Sequence, residues 1–121
     1  MKAYTDLEQS EKLSEILPFE SADMYYHNRV DIPDNFPLPI EWKRANPLLS
    51  QEIPCWSLAA LLKCLSKIKP QVYTPILFPS EDKWILQFAE YSHGNVCEVS
   101  CDNPIDTCYE IILKLHEQNL L

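Results

Sequence analysis

The sequence predicts an α+β fold: a small antiparallel sheet, made of a three-stranded meander plus one or two N-terminal strands, packed against about three helices. Three observations lead there. Apolar residues recur at helical spacing in three segments bounded by capping residues or proline; residues 71–100 alternate β-rich stretches with turn signals; and 121 residues with 46% hydrophobic content supply one core, not two. The chain is therefore expected to form a single globular domain over residues 1–121, with a proline-rich irregular segment at 31–54.

Residues 5–17 are expected to open the fold as a helix. Thr5 and Glu8 stand at capping-box spacing, Glu8 and Lys12 form an i,i+4 pair, and Leu13, Ile16 and Leu17 make an apolar stripe before Pro18 stops the helix. In residues 22–30, Ala22, Met24 and Tyr26 alternate with Asp23, Tyr25 and His27, the pattern of a half-buried strand. Between residues 31 and 54, Pro33, Pro37, Pro39, Pro47 and Pro54 remove amide donors, which leaves only 40–44 as a short strand. Pro54 suits the first turn of a second helix, along which Cys55, Leu58, Ala59, Leu62 and Leu65 recur at helical spacing.

Strands at 71–78, 83–91 and 95–100 then form the meander, turning at PSED and at Gly94, the single glycine, where a positive φ is expected. The last helix carries three start signals: Asn103 as N-cap, Pro104 at the first position and Asp106 at the positive end of the dipole. Ile105, Cys108, Tyr109, Ile112 and Leu115 make its core face, with Lys114 and His116 near its negative end.

Composition excludes several function classes. One glycine leaves no phosphate-cradling loop and no nucleophile elbow, both of which need glycine where backbone comes close. Ten Lys and Arg against 18 Asp and Glu give a net charge of −8, which disfavours nucleic acid and anionic membrane as partners. Lys63, Lys67 and Lys69 are the local exception, read as cations at the C-terminal end of the second helix. The longest apolar run, Leu58 to Leu62, is far short of the roughly 20 residues that span a bilayer. The N-terminus is charged where a secretory signal would be apolar, so a cytoplasmic location is expected. Five cysteines in that setting are expected to be reduced and mostly buried.

His93, Cys97, Cys101 and Cys108 supply four potential metal ligands within 16 residues. Their spacing lacks the tight two-cysteine knuckle of structural zinc sites, and Cys97 and Cys101 would sit at opposite ends of one strand, about 13 Å apart. Cys55, near a helix start, is the best-placed candidate nucleophile, although Trp56 and the apolar helix after it point to packing. Acidic pairs such as Glu20 with Asp23 and Glu81 with Asp82 are read as solvated charge. Within the proline-rich segment, Phe36, Trp42, Lys43 and Arg44 combine the residue types that dominate interfaces, as an interaction arm would. The plainer reading is a loop that buries Phe36 and Trp42 against its own sheet.

The stretches EILPFESADMYY, IPCWSLAALLKCL and DNPIDTCYEIILKLHEQNLL resemble short uncharacterised proteins encoded in prophages and mobile elements of gut anaerobic bacteria. The resemblance implies a genomic context and no activity, ligand or site residue.

The function expected is that of a non-enzymatic accessory protein acting through protein–protein contacts, with a protein partner or as a homodimer, and with no cofactor. The alternative is a small metal- or thiol-dependent enzyme built on His93, Cys97, Cys101 and Cys108.

Overall fold

The computed structural model describes residues 2–27, 36–40, 52–92 and 94–121. Among the described residues three α-helices and two three-stranded antiparallel sheets make an α+β fold, as the sequence predicts. The N-terminal strands do not join the meander; they pair with one another in a sheet of their own.

Helix α1 spans Leu7–Ser14. Its cap is Asp6 rather than Thr5: the Asp6 carboxylate accepts from the Gln9 amide at 2.8 Å, and the Gln9 side chain accepts from the Asp6 amide at 3.1 Å, a complete capping box one residue later than expected. Thr5 is occupied elsewhere. Its amide donates to the Trp56 carbonyl at 3.0 Å, and its hydroxyl accepts from the Trp56 amide at 3.2 Å and is hydrogen-bonded to the Ser10 hydroxyl at 2.7 Å. Its carbonyl accepts from the Tyr26 phenol at 2.7 Å. Thr5 is fully buried, so these bonds satisfy polar groups that water cannot reach.

The first sheet has the order β2–β1–β3, formed by β1 (Met24–Tyr26), β2 (Pro37–Pro39) and β3 (Ile53–Cys55). β1 is shorter than the expected 22–30, and Tyr25 and Tyr26 are both buried, so it is covered on both faces rather than on alternate residues. Of the expected strand at 40–44, Ile40 follows β2 and residues 41–44 lie outside the described residues; within the proline-rich 31–54 the described strands are β2 and the start of β3. One further expectation is corrected. Pro54 lies in β3 opposite Tyr25 and does not open a helix. Prolines are tolerated in β2 and β3 because both are edge strands, where an amide donor is dispensable. The second helix, α2 (Leu58–Ser66), starts instead at Ser57, whose hydroxyl accepts from the Ala60 amide at 3.2 Å. Asp23, at the start of β1, in turn accepts from the Ser57 amide at 2.9 Å and from its hydroxyl.

The meander consists of β4 (Tyr73–Ser80), β5 (Lys83–Glu90) and β6 (Gly94–Cys101) in that spatial order. β4 runs two residues past the expected end, so the first turn is only Glu81 and Asp82. Pro75 and Pro79 are accepted because β4 is an edge. Gly94 has φ +81°, the conformation its identity predicts. Helix α3 (Pro104–Glu117) begins as expected, with the Asn103 side chain accepting from the Asp106 amide at 2.9 Å.

α2 and α3 pack on one face of this meander. The inward residues Leu77, Leu86, Phe88, Cys97 and Val99 meet Leu61, Leu65, Ile105, Cys108, Ile112 and Leu115 from the helices, and Trp56 joins the same core. The N-terminus is tied to α3 by Asp106, which accepts from Lys2 at 2.9 Å, Gln9 at 2.8 Å and Asn103 at 2.8 Å. Partial burial opposes ionisation of this carboxyl, yet the three donors outweigh it and hold Asp106 below the ordinary carboxylate range.

Thr5→Val keeps the shape of the side chain and removes its hydroxyl, leaving the buried Trp56 amide without that acceptor. The expected loss is about 1–3 kcal/mol of unfolding free energy, read by urea denaturation with an unchanged slope. A change within the error of the titration would show that Thr5 is not a structural hub.

Candidate functional site

The sequence offers three candidate regions: the thiols, the proline-rich segment and the lysine cluster. The thiols are dispersed through the core. Cys97 and Cys101 share the inward face of β6 four residues apart, Cys108 is buried on α3, and Cys55 is buried in β3 against Thr5. His93 lies outside the described residues. Among the described residues no group of three or more His, Cys, Asp or Glu converges in a way that could hold a metal ion. Burial pushes all five thiols up, Cys108 to about 12. A raised thiol pKa depletes the thiolate, which is the nucleophile and the metal ligand. Cys55 is buried at the end of β3, where it donates to the Thr5 carbonyl at 3.4 Å.

Of the interaction residues, Trp42, Lys43 and Arg44 lie outside the described chain. Phe36 stands immediately before β2 and is 57% exposed, so it is not buried against the sheet as the plainer reading expects. The structure adds a surface the sequence reading missed. Because both helices lie on one face of the meander, the alternate residues of β4, β5 and β6 form the opposite face. Ile76, Phe78, Ile85 and Val96 belong to it, with Phe78 directly across from Ile85. Ile76 is 44% and Val96 39% exposed. Charge on this face is sparse: Glu98 accepts from Gln87 at 2.7 Å, and Lys83 is paired with Asp102. The period of two along TPILF and WILQF signals this surface only once the helix-bearing face is known.

Lys63, Lys67 and Lys69 come together on the rim of a groove of about 500 Å³. Ala60, Lys63, Cys64 and Lys67 form its α2 wall at i, i+3, i+4 and i+7 spacing. The opposite side is Leu17 to Ser21, whose position is fixed by Trp56 donating from Nε1 to the Ser21 hydroxyl at 3.0 Å. The far end is closed by Leu120. After α3 the chain turns back through Asn119 at φ +61°, with the Leu120 amide donating to the Leu115 carbonyl at 2.9 Å and the Asn119 amide to the His116 carbonyl at 3.1 Å. This paired closure at a helix end returns the following apolar residue to the helix surface.

No family model, no curated protein and no solved structure matches this chain.

Thiol accessibility follows from burial. In native protein at neutral pH, Cys64 and Cys101 are expected to react with a thiol reagent first, and Cys55 and Cys108 only on unfolding, as read by peptide mass spectrometry. Rapid modification of Cys55 in the folded state would instead mark it as an activated nucleophile.

Proposed function

We propose that this protein is a non-enzymatic accessory protein that acts through protein–protein contacts, in a phage or mobile-element context, and that it works as a homodimer. The observation that carries this reading is the outward face of the meander, where Ile76, Phe78, Ile85 and Val96 place apolar surface in water on an otherwise acidic chain. Exposed apolar patches on soluble domains mark contact sites. The same face on a second copy offers a matching apolar surface, as a two-fold contact requires, with Glu98 and Lys83 as its charged side chains among the described residues. Phe36 and the proline-rich segment, with Trp42, Lys43 and Arg44, supply a second part of the contact surface. The described thiols carry less support for chemistry, since burial pushes their pKa values up and so disfavours the thiolate. No helix among the described residues is long and apolar enough to cross a membrane.

Sedimentation velocity over a concentration series is the test. Self-association is expected, with Ile76→Asp weakening it by at least about tenfold, the effect of losing about 1.4 kcal/mol. Phe36→Ala is expected to weaken it less, and both variants should keep the native melting temperature within about 2 °C, because exposed positions contribute little to stability. A chain that stays monomeric at all concentrations, or a dimer indifferent to both substitutions, would refute this assignment.

A further inference from the structure

We propose that the lysine-rimmed groove between α2, the Leu17 to Ser21 turn and Leu120 is a binding site for a small amphiphilic anion, a molecule with an apolar body and a carboxylate head. The inference is independent of the sheet-face contact, which lies on the other side of the meander from α2.

Shape comes first. A concavity of about 500 Å³ falls within the range of small-ligand pockets. Its floor is apolar: Leu17, Ala60, Ile68 and Leu120 line it, with the Cys64 thiol and the Ser21 hydroxyl as small polar points. Among the described residues no aromatic side chain lines it, so these offer no platform on which a nucleic-acid base would stack.

Charge then selects the head group. Lys63, Lys67 and Lys69 are all exposed, and among the described residues none is in an ion pair, nor is Lys114, whereas Lys2, Lys12 and Lys83 each are. Glu20 is the single acidic side chain among the described lining residues. Three lysines against one acidic side chain around an apolar groove, on a chain of net charge −8, give the rim a local charge opposite in sign to that of the whole molecule. From sequence all three lysines are assigned to the negative end of the α2 dipole, and the structure places Lys63 in the last turn and Lys67 at the C-cap. The dipole does not account for Lys69, which lies beyond the helix in a left-handed backbone at φ +39°. Lysine stems lie along apolar surface while their ammonium groups reach water, so a carboxylate at the rim meets the three heads while its alkyl body replaces water on the floor.

Cys64 provides the readout, because it lines the groove and is only half-buried. Native protein is alkylated with iodoacetamide with and without sodium decanoate, and the modified cysteines are read by peptide mass spectrometry. Decanoate is expected to protect Cys64 saturably and to leave Cys101 unchanged. The K63Q/K67Q/K69Q variant should lose at least about tenfold in apparent affinity, as three weak charge contacts together predict. Should that variant not fold, decanoate against the decyltrimethylammonium ion on the unmodified chain decides the matter, since a cationic head should protect far less. Equal protection by the two amphiphiles, or an affinity untouched by the three substitutions, overturns the proposal. So does alkylation of buried Cys108 during the titration, which would report unfolding by the amphiphile. Protection by an acidic, apolar peptide but not by decanoate would overturn it in favour of a protein occupant.

Discussion

The hydrogen bonds between Thr5 and Trp56 are the constraint on which the remaining structure depends. They join an N-terminal segment with little regular structure to a tryptophan that is wholly inside the core. The same threonine carbonyl holds the Tyr26 phenol at the end of β1, and Cys55 at the end of β3. Trp56 leads directly into Ser57, the cap of α2, and that cap is held in turn by Asp23 at the entrance to β1. One buried polar junction therefore sets where the first sheet ends, where α2 begins, and hence which face of the meander α2 covers. A partly satisfied junction would cost more than an apolar one, because each orphaned group in this interior retains its full desolvation penalty.

That arrangement determines what is left for contact with other molecules. Both long helices are spent on the inward face of the meander, together with Cys97 and Cys108, so the thiols serve as packing volume. What remains is an outward sheet face with apolar residues in water, and a groove where α2, the turn after α1 and the reversed end of α3 fail to close completely. The two surfaces differ in kind. The sheet face exposes apolar side chains with little charge, and is the contact surface proposed above, whereas the groove is concave with lysines among its lining, and is the proposed anion site.

Much of the fold was legible because its signals are local. Asn103, Pro104 and Asp106 specify the start of α3 within four residues, Gly94 has the positive φ its identity implies, and the meander follows from alternating stretches between turns. Of the first sheet only β1 was legible, inside the expected 22–30, because β2 and β3 are three residues long and contain proline. Pro54 fits the first turn of a helix and an edge strand equally well; pairing with Tyr25 decides between them, and pairing is non-local. Thr5 and Asp6 both qualify as caps by type, and only burial beside Trp56 removes Thr5 from that role. The groove was invisible for the same reason. Helical spacing places Lys63 and Lys67 together, but the return of Leu120 depends on the turn after α3.

If the Thr5–Trp56 junction couples the two sheets, they must open as one cooperative unit. Native-state amide hydrogen exchange measures this directly. The Thr5 and Trp56 amides are predicted to exchange with the same opening free energy as the Leu86 and Phe88 amides at the centre of the meander, and with the same denaturant dependence. Exchange of Thr5 and Trp56 through a smaller, denaturant-insensitive opening, while Leu86 and Phe88 stay protected, would contradict the account.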